Sequence, residues 1–184
     1  MRKCAPGTQP ELKSVLMIYY SAFGFHIKKH IAFWSGIIYN TAMKIYKIVI
    51  DTNVIVAALK SRNGFSFNLL SIIDDNRFKN FISVPLIFEY EDAVKRNKSK
   101  IKLNKSELDA VLDYICSVSE RRKIFYLWRP YLKDPKDDMI LELAVESECD
   151  YIVSFNKKDF IGVDKFNLKV VTPKEFLKLI GEIK

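Results

Sequence analysis

The chain has 184 residues and 49% apolar side chains, enough for one domain with a true core, which excludes global disorder. Its formal charge of +8 favours a polyanionic partner, but residues 1–42 carry half of that excess, so residues 43–184 are only mildly basic. The three cysteines, Cys4, Cys116 and Cys149, are far apart and lack zinc-site spacing, which argues against a disulfide scaffold and for reduced thiols in a cytoplasmic protein.

Residues 1–42 read as an N-terminal extension outside the core fold, with Met43 opening the domain proper. The run from Val15 to Ile27 is too short for a transmembrane helix and is broken by Lys28 and Lys29. No small-residue cleavage site follows it, as a signal peptide requires. A membrane-surface role and a helix packed on the domain are the other readings of this segment. His26 and His30 stand four apart, but with two lysines and no glutamate between them they do not make a zinc-protease pair. No membrane association is expected for residues 43–184.

From Met43 onward strands and helices alternate. Residues 45–50 are rich in β-branched side chains and predict a mostly buried strand. Thr52 or Asn53 then caps a helix through Val54–Lys60, and Arg62-Asn63-Gly64 is a break. A helix over 67–74 and a strand over 78–83 follow, and Ser83 with Pro85 opens a helix through Arg96. Residues 97–107 are polar and basic and read as a loop, with Ser106 and Asp109 as a capping box for a helix reaching Val118. Residues 124–127 suit a strand, 129–138 a loop, 139–148 a helix and 151–153 a strand. A short strand over 166–171 leads into a helix over 172–180, opened by Thr172, Pro173 and Glu175.

This alternation predicts an α/β layered fold with a central, mostly parallel sheet. Ligands of such sheets bind beyond the carboxyl ends of the strands, where strand order reverses. Asp51 ends the first strand, a rare place for a merely solvated carboxylate. Glu89, the pair Asp137 and Asp138, and Asn156 with Ser154 just before it are the other oxygen ligands able to reach that edge. Each has a plain structural reading. The aspartates suit helix caps, and Glu89 suits a solvated helix face. Taken together they predict a cluster that needs a shared cation or shared protons. An oxygen-only ligand set suits Mg²⁺ or Mn²⁺, which also lets an acidic pocket accept a phosphodiester. Lys60, Arg62, Arg96 and Lys157 are the basic residues predicted to hold the phosphodiester backbone at the rim.

The segments "IVIDTNVIVAAL", "FEYEDAVKR", "DPKDDMILELAVESECDYIVSFNKKDF" and "VVTPKEFL" resemble the PIN-domain family over about residues 43–179. They are most similar to its branch of toxins from toxin–antitoxin systems, related to the VapC-type ribonucleases. The resemblance implies a three-layer α/β/α fold and an Mg²⁺- or Mn²⁺-dependent endoribonuclease, inhibited by a cognate antitoxin and often a homodimer. It implies that Asp51, Glu89 and Asp138 are the catalytic acids and metal ligands. Asn156 takes a fourth ligand position where many members have aspartate, and Asn53, Asp137 and Ser154 support the site. A neutral Asn156 weakens a second metal more than the first, which leaves a weakly active or inactive RNA- or protein-binding module as the alternative.

Other chemistries fit less well. Residues 43–184 hold no histidine, which excludes paired-histidine ribonuclease chemistry there. Phosphatases with an aspartate nucleophile after a strand want a second aspartate two residues on, where this chain has Asn53. No glycine-rich turn follows the first strand, against a dinucleotide site.

Overall fold

A computed structural model of the chain describes residues 44–184. The extension expected at 1–42 lies outside the described residues. The first strand, β1 (Tyr46–Ile50), runs straight into helix α1 (Thr52–Lys60), with Asp51 as the one residue between them. Helix α2 (Phe65–Ser71), strand β2 (Phe78–Ile82) and helix α3 (Val84–Arg96) follow. Next come α4 (Lys105–Val118), the two-residue strand β3 (Glu120–Arg121) and α5 (Pro135–Glu146). The chain closes with β4 (Tyr151–Val153), β5 (Lys169–Val171) and α6 (Pro173–Leu179).

The five strands form one sheet in the order β3-β2-β1-β4-β5, every pair parallel. With the six α-helices of the described residues this is the expected three-layer α/β arrangement. The chain builds outward from β1 through β2 to β3, then crosses back to add β4 and β5 on the other side. Strand order therefore reverses between β1 and β4, where Ile50 pairs with Val153. Parallel strands are covered on both faces, so β1 buries Ile48, Val49 and Ile50 almost completely. At about 25 cal/mol per Å², each of these side chains contributes roughly 2 kcal/mol. Among the described residues no helix is long and apolar enough to cross a membrane.

Several helix starts differ from the sequence expectation. Asp51 itself, rather than Thr52 or Asn53, caps α1, accepting from the Asn53 amide. The capping box of α4 is Asn104 with Glu107, two residues before the Ser106–Asp109 pair. The longer glutamate returns to the Asn104 amide at 2.7 Å, a reach that favours it over aspartate at this position. Helix α5 begins at Pro135, four residues earlier than expected, because Asp134 caps it and proline takes the first position. Residues 124–127 do not form a strand, since β3 has already closed that edge at Glu120 and Arg121. Ser83 and Thr172 cap α3 and α6 as the sequence predicts.

Candidate active site

Asp51 stands at the carboxyl end of the central strand, beside the point of strand reversal. Its backbone amide donates to the Val153 carbonyl of β4 at 2.9 Å, which ties it to the neighbouring strand end. Helix α3 secures the same end. The buried Tyr90 hydroxyl donates to the Ile50 carbonyl, one residue before Asp51. The carboxylate itself is only 5% exposed. Its Oδ2 accepts from Asn53 Nδ2 at 2.6 Å and from the Ser154 hydroxyl, and its Oδ1 accepts from the Asn53 amide at 3.3 Å. Burial pushes its pKa up, and these hydrogen bonds hold it down.

Asn53 and Ser154 form the supporting network. Asn53 Nδ2 also reaches Ser154 Oγ at 3.1 Å, and its Oδ1 accepts from the Phe155 amide. Ser154 Oγ accepts from the Asn156 amide at 3.0 Å, so the turn after β4 is fastened to Asp51 through one hydroxyl. Ser154 is fully buried and faces a carboxylate, which removes it as a nucleophile.

A cleft of about 390 Å³ opens over this network, and Asp51, Glu89, Asp137 and Asn156 all line it. Thus four of the five oxygen ligands singled out in the sequence meet at one place. The fifth, Asp138, does not line the cleft. It is 1% exposed, and its Oδ1 accepts from the Leu132 amide at 2.7 Å and the Tyr131 amide at 3.3 Å. Asp138 fastens the loop before α5, whereas its neighbour Asp137 lines the cleft. The physical reason is helical geometry. One residue along a helix turns the side chain by 100°, enough to exchange the cleft wall for the loop behind it.

The electrostatics single out Asp137. Its pKa is raised to about 7, first by burial and then by the charges of Asp51, Asp134, Asp159 and Asp138. Asp159, on the 3₁₀ turn Lys157–Phe160, also raises Asp51. Glu89 behaves differently. Its Oε1 pairs with Arg96 at 2.8 Å and with Lys136 at 2.9 Å.

The oxygen donors therefore suit a hard cation by their chemistry, and the mutual repulsion at Asp137 is the charge that such a cation relieves. Among the described residues, no three acidic, histidine or cysteine side chains are already drawn together as a closed metal site. Glu89 is instead held by its two cations, Arg96 and Lys136.

The basic residues divide. Lys60 lines the cleft, and Arg96 enters the site through Glu89. Arg62 lies in the turn after α1 and is not in the cleft lining. Lys157 pairs with Glu175 at the start of α6 at 2.6 Å and is likewise absent from the lining. Sequence reasoning missed Lys136, Asp134 and Asn97, which line the cleft. The signal for the first two was the Asp-Pro pair at 134–135, which sets the start of α5 and hence places Lys136 and Asp137 in its first turn.

Residues 47–158 match the family model described as the PIN domain. The chain is also 28% identical, over 143 residues, to an uncharacterized protein of Methanocaldococcus jannaschii, an alignment covering 72% of this chain and 90% of that protein.

Proposed function

The chain belongs to the PIN-domain family, whose members are generally metal-using nucleases, and from that premise we propose that it is a metal-dependent endoribonuclease. The observation that supports this most is the meeting of Asp51, Glu89, Asp137 and Asn156 in one cleft at the point of strand reversal. In this reading Asp51, Asp137 and Glu89 hold Mg²⁺ or Mn²⁺, with Asn156 as a neutral fourth ligand. When bound, the cation supplies positive charge to the phosphoryl transition state and lowers the pKa of water.

The chain's own residues do the rest. Asn53 and Ser154 fix the Asp51 carboxylate, so the site is organised before substrate arrives. Lys136 and Arg96 are drawn to Glu89 and stand ready to hold a phosphate once Glu89 turns inward. Lys60 extends the positive rim. Water adds to phosphorus, one ribose oxygen leaves as the alcohol, and no protein side chain is the nucleophile. Cys116 and Cys149 are buried, and burial pushes the Cys149 thiol up to about 12.

The toxin role, the cognate antitoxin and homodimer formation are what the family resemblance implies, and a cytoplasmic place is what the cysteine usage implies. The reading of residues 1–42 as an extension outside the core fold rests on their composition and on a resemblance that starts only near residue 43.

A second reading is a binding module with little activity. It draws on Asn156 in place of an acid and on the two cations that occupy Glu89. The test uses the purified full chain, as wild type and as Asp51→Asn, with total RNA in Mn²⁺, in Mg²⁺ and in EDTA. Cleavage that requires metal and disappears in the variant upholds the nuclease. No cleavage by folded protein under any metal selects the binding module.

A further inference from the structure

The segment between β3 and α5, residues 122–134, contains neither helix nor strand. Its composition is unusual for a surface loop. Phe125, Tyr126 and Leu127 are 73%, 70% and 63% exposed, and Trp128 is 40% exposed. Four consecutive large apolar side chains left in water incur a cost in solubility, so such a patch marks a binding surface.

The loop is fastened. The Arg122 amide donates to the Ile82 carbonyl at 2.9 Å at its start. In the middle, buried Glu142 accepts from the Trp128 amide at 3.0 Å and from Arg129 Nε and Nη2 at 3.1 and 2.9 Å. Near its end Asp138 holds the Tyr131 and Leu132 amides. The stretch that carries the rings is thus held on both sides, at Arg122 and at Trp128–Leu132. Tyr126 and Trp128 lie 5.8 Å apart between centroids, and Trp128 packs edge-on against Phe166 at 5.1 Å.

Positive charge is interleaved with the rings. Arg121, Arg122 and Lys123 are exposed. Lys123 Nζ lies 5.2 Å over the Phe125 ring, and the Arg122 guanidinium lies over Phe81. A groove of about 670 Å³ is lined by Arg121, Lys123 and Leu127 together with Val84 and Pro85. Because all strands are parallel, the ends of β2 and β3 that border this groove share the sheet edge that carries Asp51. Helix α3 starts in the groove at Val84 and carries Glu89 to the cleft, about 7.5 Å further along its axis.

We propose that this loop and groove form a platform for single-stranded RNA, with bases stacked on Phe125, Tyr126 and Trp128 and phosphates held by Arg121, Arg122 and Lys123. Stacking needs exposed rings and unpaired bases, and phosphate needs cations. The platform offers both on the sheet edge that carries the cleft. A second copy of this chain is the weaker occupant. Two-fold pairing through this patch sets the basic run against itself. The proposal rests on the ribonuclease reading for the choice of RNA, but binding is measured apart from cleavage.

The test uses the full chain carrying Asp51→Asn, which keeps RNA intact, and Trp34→Phe, which leaves Trp128 as the single tryptophan of the two in the sequence. A twelve-nucleotide oligouridylate is titrated while Trp128 fluorescence is followed. Saturable quenching is expected. Phe125→Ala and Tyr126→Ala, both at highly exposed positions, each weaken binding about tenfold. Lys123→Ala lowers the salt dependence by about one phosphate contact. Absence of quenching overturns the platform, as does an affinity unchanged by both ring substitutions. Tighter binding of oligothymidylate overturns the choice of RNA. Self-association that Phe125→Ala abolishes, without RNA binding, assigns the patch to a second copy. Cleavage by wild type with no quenching leaves the nuclease standing without the platform. Quenching without wild-type cleavage does the reverse.

Discussion

Asp137 and Asp138 are chain neighbours with opposite tasks. Asp137 lines the cleft among like charges, and Asp138 is buried against the Leu132 and Tyr131 amides. Substitution separates the two. Asp137→Asn removes a negative oxygen from the cleft and is expected to lower RNA cleavage roughly a hundredfold or more. Asp138→Asn keeps an acceptor for Leu132 but loses its charge, so it retains most activity and costs about 1 kcal/mol of stability. Cleavage rates and urea unfolding of both variants check this. Loss of activity only in Asp138→Asn would return the ligand role to Asp138.

The same crowding makes a pH prediction. The folded pKa of Asp137, about 7, lies above the ordinary carboxylate value near 4. The folded state therefore holds this proton more tightly than the unfolded state. Stability from this group is complete below about pH 4 and declines as pH rises towards 7. Asp137 is half-buried, and solvent screening leaves about 1 kcal/mol of that difference. Without metal, Asp137→Asn should melt a few degrees higher than wild type at pH 8 and at the same temperature at pH 4. Added Mg²⁺ should stabilise wild type more than the variant, because a cation bound to the native state adds its binding free energy.

Glu142 offers a test of loop support. It is 1% exposed and answers Arg129 and the Trp128 amide. Glu142→Ala strips partners from both and leaves a cavity. The expected cost is about 3 kcal/mol in urea unfolding. Trp128 should also become more accessible to acrylamide quenching. Unchanged quenching would show that the loop is held by its other contacts alone.

The ends of the domain are tied by Arg77. It pairs with Asp75 at 2.7 Å and with Glu182 at 2.6 Å, and it donates to the Ile180 carbonyl. The Arg77 guanidinium holds the Asp75 carboxyl below its usual range. A depressed folded pKa gives stability that is present above about pH 4 and is lost as pH falls through the folded value. Asp75→Asn should cost about 1 kcal/mol at pH 7 and converge with wild type in strong acid. Thermal melts from pH 2 to 7 check the convergence.

Much of the fold was legible in the chain. The β-branched run at 45–50, the Ser83–Pro85 start and the Thr172–Glu175 box are local signals, decided by residues within a turn of one another. They were enough to place Asp51 at a strand end and Glu89 on the helix after the second strand. The capping box of α4 was misread for the same reason. Two candidate boxes overlap there, and only the folded chain shows that Asn104 and Glu107 form the bonds.

What the sequence could not settle was the phase of α5. Residues 138–144 are all buried, Asp138 and Glu142 among them, so burial runs right round this part of the helix and no single stripe marks its inner face. The choice between Asp137 and Asp138 therefore lay with tertiary packing, which turned one carboxylate to the cleft and the other to the 131–132 amides. The pairing of Glu89 with Lys136, 47 residues away, was equally out of reach of any local pattern. Local chemistry by itself determined most of the elements, the parallel α/β class and the residue types able to hold a cation. The angles at which separate helices meet the sheet edge decided which of those residues share a site, because a side chain's direction depends on packing across the whole domain.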